Sequence, residues 1–237
     1  MSTYEREERY LKLLADQEFS VSDLAKNLFI SEPTVRRDLV FLSKKGLIVR
    51  SKGKAKLNTL APNQRIPFFL REQDDSQSKR IIAEKAASYI KDGYSIMLDA
   101  STTAYHIVHY LTNFKKIFVI TSGAKTAISL ATLGIPCLCT GGLLAPESLS
   151  YIGSDAEKIL TNYNADICFF SCHGISRSGL ITDNSIEENN IRKIMIQKSR
   201  RRYLLCDSSK FDQICLNTLC TKDEIDRIIT DKPFTFD

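Results

Sequence analysis

Val21-Ser22-Asp23-Leu24-Ala25-Lys26-Asn27-Leu28-Phe29-Ile30-Ser31-Glu32-Pro33-Thr34-Val35-Arg36-Arg37-Asp38-Leu39-Val40-Phe41-Leu42-Ser43-Lys44-Lys45-Gly46-Leu47 is the stretch on which the fold turns. Ser31 is a favoured N-cap, and Pro33 falls in the first turn, where a missing N–H costs little. Val35, Leu39 and Leu42 recur at i, i+4 and i+7, so the spacing predicts a helix with one face packed inward. With Val35 taken as zero and about 100° added per residue, Arg37 and Lys44 point away from that face while Thr34 and Arg36 flank it. Side chains so placed are those a DNA major groove would meet.

Two earlier helices are expected to support this one. The first runs over about Tyr4 to Ala15 with Leu11 and Leu14 inward, and the second carries Val21, Leu24, Ala25 and Leu28. Gly46 reads as the C-terminal stop of the third helix, and Leu47 to Lys56 reads as a small β-wing with a glycine turn. Ser31, Thr34, Arg36, Arg37, Lys44, Arg50, Lys52 and Lys54 are the candidate DNA contacts. Basic side chains alone make an ordinary solvated surface; here they coincide with a capped helix, a preceding helix and a wing.

Charge follows the same division. Residues 1–58 hold 12 Lys+Arg against 8 Asp+Glu, residues 59–75 hold 2 against 3, and residues 76–237 hold 19 against 17. The basic excess therefore sits in the first quarter, as a phosphate-binding module requires, and leaves a nearly neutral remainder suited to a small ligand. At 237 residues and 43% hydrophobic content the chain can bury two cores. The expected boundaries are a DNA-binding winged helix-turn-helix over 1–58, a linker over 59–75 that includes Pro62 and Pro67, and an effector-sensing and oligomerisation domain over 76–237. No apolar run is long enough for a membrane span, and the charged N-terminus is unlike a signal peptide, so a cytoplasmic protein is expected. The seven cysteines are odd in number and lie mostly among Leu, Ile and Phe, which predicts buried thiols.

Beyond residue 76, short apolar strands alternate with helical segments, among them helices expected from Thr103 to Leu111 and from Lys222 to Asp226, which predicts an α/β domain with a mostly parallel sheet. Ligands of such sheets bind beyond the carboxyl ends of the strands. The segments expected there are small and polar: Asp99-Ala100-Ser101-Thr102-Thr103, Thr121-Ser122-Gly123, Thr140-Gly141-Gly142, Ser171-Cys172-His173-Gly174 and Asp207-Ser208-Ser209-Lys210. Each alone has a structural explanation as a cap or turn. Their convergence predicts a pocket for an anion or a polyol, with hydroxyls and helix-start N–H groups at residues 101–103 and the Lys210 ammonium as anion partners.

Both halves resemble the DeoR-type family of transcriptional regulators. The resemblance is carried by Val21-Ser22-Asp23-Leu24-Ala25, Ser31 to Leu39 and Gly46-Leu47-Ile48-Val49-Arg50, then by Asp99 to Thr103, Thr121-Ser122, Gly141-Gly142, Ser150 to Gly153, Gly179 to Asp183, Arg192 to Ile196 and Asp207 to Lys210. It implies a Rossmann-like sensor domain similar to ribose-phosphate isomerase and glucosamine-phosphate deaminase folds. It also implies a repressor of carbohydrate genes that binds an operator in duplex DNA, takes a phosphorylated sugar as effector, needs no cofactor, and works as a homodimer or homotetramer. The residues it implies for the effector pocket are Asp99, Ser101, Thr102, Thr103, Thr121, Ser122, Gly141, Gly142, Asp183, Lys193 and Lys210. His173, Gly174 and Asp207 join them as strand-end candidates. Two departures stand out: Lys52-Gly53-Lys54-Ala55 replaces the family's usual wing sequence, and Val40 and Phe41 stand where charged residues are common.

Two rival readings come from the residues. An isomerase or deaminase would use Asp99, Asp183 or His173 for acid–base work, but gains nothing from a fused winged helix. A metal sensor would use His106 and His109 with Cys137 and Cys139, but these lack a CxxC or a second paired set.

Overall fold

The computed structural model describes residues 3–44, 47–51, 53–58, 67–73 and 76–237. The chain divides into two compact units, Met1–Asp74 and Asp75–Asp237.

The first unit is built from α1 (Thr3–Asp16), β1 (Phe19–Ser20), α2 (Val21–Leu28), α3 (Glu32–Lys44), β2 (Ile48–Ser51), β3 (Lys54–Leu57) and α4 (Phe68–Gln73). Its core joins Tyr10, Leu11 and Leu14 of α1, Val21, Leu24 and Leu28 of α2, and Val35, Leu39 and Leu42 of α3 to Ile48 and Ala55 of the wing. Ser20 caps α2 by accepting from the Asp23 N–H at 3.1 Å. Phe29 then turns the chain with a left-handed backbone at φ 55°. At the start of α3 the Ser31 carbonyl accepts the first helical bond from Val35, and the Ser31 hydroxyl pairs with that of Thr34 at 2.9 Å. Arg6 of α1 holds Asp38 of α3 at 3.1 Å. Short β1, absent from the sequence expectation, pairs with β3 to give the strand order β1-β3-β2. The segment expected to be a linker contains α4, with Phe68 buried. Gly46, Lys52 and the connector residues Leu60 to Ile66 lie outside the described residues.

The second unit contains α5 (Ser76–Ala87), β4 (Ser95–Leu98), α6 (Thr102–Tyr105), β5 (Phe118–Thr121), α7 (Ala124–Thr132), β6 (Cys137–Cys139), β7 (Leu143–Ala145), β8 (Ser150–Ile152), α8 (Ser154–Thr161), β9 (Ile167–Ser171), β10 (Gly174–Ile175), β11 (Leu180–Asp183), α9 (Ile186–Gln197), β12 (Arg202–Cys206), β13 (Asn217–Thr221) and β14 (Arg227–Thr230). Six strands form a parallel sheet in the order β14-β12-β9-β4-β5-β6. Neighbouring residues on a strand face opposite sides. Met97, Phe170 and Leu204 pack with Leu160 of α8 and with Ile191 and Met195 of α9. Tyr203 and Phe169 belong to the other side, where Tyr203 meets Tyr89, just past α5, at a ring separation of 5.0 Å. Helices thus cover both faces, which explains strands that read as unbroken apolar runs.

Three features depart from expectation. The helix expected from Thr103 to Leu111 is the one-turn α6 followed by a 3₁₀ segment, His106–Asn113. That expected from Lys222 to Asp226 is a 3₁₀ turn, Lys222–Glu224, closed by a Thr221–Glu224 capping box. Two small antiparallel sheets, β7–β8 and β10-β11-β13, had no sequence signal because their strands are only two to five residues long. No helix among the described residues is long and apolar enough to cross a membrane. All seven cysteines are free thiols.

Candidate functional site

The outer face of α3 carries Arg36, Arg37, Val40, Phe41 and Lys44, all exposed, with Thr34 half-buried at its N-terminal end. Arg36 reaches back to Glu32 at 3.2 Å, a solvent-exposed pair of little energetic weight. In the wing, Ser51 and Lys54 are cross-strand partners. Arg50 and Lys54 are exposed, and the Lys54 ammonium donates to Glu18 at 2.7 Å. Ser31, Thr34, Arg36, Arg37, Lys44, Arg50 and Lys54 therefore belong to one small domain at or near its surface, and Lys52 is outside the described residues.

The second site lies at the carboxyl ends of β4, β9, β11 and β12, and its centre is Arg192 of α9, only 3% exposed. Its guanidinium donates to Asp99 Oδ2 at 2.8 Å through Nε, to Asp183 Oδ2 at 2.9 Å through Nη1, and to Glu188 Oε2 at 2.9 Å through Nη2. Asp99 also accepts from the Ser101 N–H and hydroxyl at 3.1 and 2.6 Å and from the Ser171 N–H at 3.1 Å. Four bonds fill a carboxylate's acceptor capacity, so Asp99 positions Ser101 and Arg192 and keeps no lone pair for a ligand. The Ser101 hydroxyl is committed too, since it accepts from the Ala104 N–H as the cap of α6.

Asp183 takes the Ser185 N–H at 3.0 Å and the His173 Nδ1–H at 2.7 Å. Because a carboxylate only accepts, Nδ1 carries the proton, and Nε2 of this half-buried ring is the nitrogen left for an outside partner. Burial pushes the Asp183 carboxyl up, but the Arg192 guanidinium and His173 outweigh it and hold the group well below the ordinary carboxylate range. Lys210 donates to Asp207 at 2.8 Å and to the Ser171 hydroxyl at 3.0 Å. Burial alone would lower the Lys210 pKa; Asp207 reverses that and keeps the ammonium charged. Asp207 is likewise held low against its own burial by Lys210 and by two bonds from Ser209.

Ser101, Asp99, His173, Asp183, Asp207 and Lys210 are thus joined in one hydrogen-bonded network through Arg192 and Ser171. Thr102 and Thr103 follow in α6, both buried, and Thr121 and Ser122 lie at the end of the adjoining strand β5, with Thr121 accepting the Gly123 N–H at 3.0 Å. Gly141 and Gly142 follow β6, next along the sheet. Gly142 has φ 98°, and a Cβ there would meet the Ile152 carbonyl at 2.9 Å, which accounts for glycine without a ligand. Gly174 is explained the same way, because a Cβ would collide with the Gln213 backbone.

Lys193 corrects the sequence expectation. It is exposed, whereas its neighbour Arg192, about 100° away on the helix, faces the site. Sequence reasoning did not single out Arg192 or Glu188. The signal was available for Arg192, since Glu188, Ile191, Arg192, Met195 and Ile196 form the buried stripe of α9 and Lys193 falls off it. The histidine pair sits on the 3₁₀ segment with ring centroids 6.2 Å apart, and His106 is packed against Tyr105. Among the described residues no group of three or more His, Cys, Asp or Glu is arranged to hold a metal ion.

Comparison with known proteins gives a consistent assignment for both units. Residues 6–60 match the DeoR-like helix-turn-helix domain, and residues 74–232 match the DeoR C terminal sensor domain. The chain is 33% identical to the uncharacterized HTH-type transcriptional regulator YulB of Bacillus subtilis, over 98% of this chain and 90% of that protein. It is 29% identical to the lactose phosphotransferase system repressor of Staphylococcus epidermidis, over 98% and 93%. In fold it resembles the crystal structure of eIF2B delta from Chaetomium thermophilum, with a TM-score of 0.51 and 19% identity over 70% of this chain and 60% of that one. That likeness concerns the architecture alone.

Proposed function

Because this chain belongs to the DeoR family of transcriptional regulators, we propose that it represses carbohydrate genes and that a phosphorylated sugar bound at the strand-end network controls its hold on operator DNA. Its relatives are regulators, so the isomerase or deaminase reading of the site does not stand. Residues 1–58 are assigned to DNA reading, 59–75 to the linker, and 76–237 to effector sensing and self-association. On the operator, Arg36 and Arg37 meet base edges while Ser31, Thr34, Lys44, Arg50, Lys52 and Lys54 meet the backbone. Two copies place two winged helices on adjacent half-sites.

The observation that carries the sensor reading is the buried network at the strand ends, in which Lys210 keeps the third N–H of its ammonium and His173 keeps Nε2 for an outside partner while Asp99, Asp183 and Arg192 hold the frame. The phosphate is assigned to the Thr102 and Thr103 hydroxyls, the N–H groups beside them, and Lys210; the sugar hydroxyls are assigned to His173, Thr121 and Ser122. The relative named for a lactose phosphotransferase system supports a sugar-derived effector.

The test is a thermal-shift screen of the whole chain against phosphorylated sugars and their unphosphorylated counterparts, since a ligand that binds only the native state raises its melting temperature. A shift that needs the phosphate, followed by altered binding to a duplex the protein selects, establishes the reading. A cooperative melt unmoved by every member of the panel refutes the pocket assignment.

A further inference from the structure

Beyond the first turn of α3, four residues lie within about 60° of the direction opposite Val35 when each residue advances the helix by about 100°: Arg37, Val40, Phe41 and Lys44. Val40 is 43% exposed and Phe41 48% exposed. The face that a helix-turn-helix turns toward the major groove therefore holds two large apolar side chains between two cations. Among the described residues the core that anchors α3 uses Val35, Leu39 and Leu42 and includes neither Val40 nor Phe41.

We propose that Val40 and Phe41 are specificity-determining residues that read thymine C5-methyl groups in the operator, beside a guanine read by Arg37. The inference rests on α3 being the DNA-reading helix. The apolar feature of the major groove is the thymine methyl, and phenylalanine is among the side chains that contact it. The flanking charges select DNA over a second copy of this chain as the occupant. Arg37 and Lys44 suit phosphates and guanine edges, whereas a self-complementary apolar contact would bring like cations together. Spacing sets where the methyl lies. Phe41 is four residues beyond Arg37, about 6 Å along the helix axis, so its thymine falls no more than about two base pairs, at 3.4 Å each, from that guanine.

The experiment begins with duplexes selected from a randomised library by the wild-type chain. Each thymine of the preferred duplex is then replaced in turn by uracil, which removes the methyl and leaves pairing intact. One or two uracil positions next to a required guanine are expected to weaken wild-type binding by about fourfold per methyl, the worth of one buried CH₂ group. Phe41→Ala and Val40→Ala, checked for an unchanged melt, are expected to bind the thymine duplex more weakly and to lose the distinction between thymine and uracil. Uracil tolerated everywhere by the wild-type chain overturns the proposal while leaving DNA reading intact. Failure to select any duplex overturns both. A change in oligomeric mass of Phe41→Ala without DNA assigns the patch to a second copy and overturns it as well.

Discussion

Phe29 occupies a left-handed backbone position, φ 55°, while its ring is 91% exposed. Left-handed geometry costs a residue with a Cβ roughly 1–2 kcal/mol, and an exposed ring recovers little of it. Phe29→Gly removes that strain, and the extra freedom of glycine in the unfolded chain takes back about 0.5–1 kcal/mol. The expected net is a gain of about 0.5–1 kcal/mol, read from urea denaturation; a loss instead would mean the ring is held by contacts that outweigh the strain. At the surface proposed to face DNA, base reading and phosphate binding are expected to separate by residue. Arg37→Ala is expected to cost about 1–3 kcal/mol against the preferred duplex and to flatten base preference. Lys54→Ala is expected to weaken all duplexes alike and to lower the slope of log affinity against log salt by about one. Equal salt slopes for Lys54→Ala and wild type would remove Lys54 from the phosphate contacts, leaving its contact with Glu18 as its role.

At the scale of elements, α9 matters through the one cation it buries. Arg192→Ala would leave Asp99, Asp183 and Glu188 without their common partner, and loss of one side of a buried ion pair costs about 3–5 kcal/mol. Arg192→Lys is expected to recover only part of that, because an ammonium cannot reach three carboxylates in fork geometry; thermal melts of the two variants decide it. The same network sets an acid limit. Asp183 and Asp207 are held below the ordinary value of 3.8, so the folded state binds their protons less readily than the unfolded chain. Their contribution is present above about pH 4 and is lost as pH falls through the depressed pKa values. Denaturation midpoints followed downward from pH 5 should fall, and Asp183→Asn should flatten that fall. The elements themselves were legible where period and caps agree: α2 and α3 from the recurrence of Val21, Leu24, Leu28, Val35, Leu39 and Leu42, and the parallel strands from their apolar runs. Segments too short to show a period, such as β1 and β10, were not. In the site, the polar strand ends could be read off the chain, and Ile191 and Met195 carry the helix phase that sets Arg192 inward, but that phase alone does not say which carboxylates Arg192 meets.

For the whole molecule the decisive fact is that each unit has a core of its own, one around Leu24 and Leu39 and one around Phe170 and Leu204. Two cores predict two heat-absorption transitions on calorimetric melting of the full chain, and the two proposed ligands should act on different ones. An effector at one hundred times its Kd stabilises the unit that binds it by about 2.7 kcal/mol. In a unit the size of Asp75–Asp237, each kcal/mol is worth roughly 2–4 °C, so the sensor transition should rise by about 5–10 °C. A selected duplex should raise the other transition and leave the sensor transition near its place. Regulation demands more, because a repressor whose units melt with full independence has no means of passing a signal. If the effector changes operator affinity, linkage requires the operator to change effector affinity by the same factor, with a coupling of about 1–3 kcal/mol. Titrating the effector into the free chain and into its duplex complex measures that factor directly. A ratio of one, with both ligands bound, would leave two intact sites on one chain with no regulation between them.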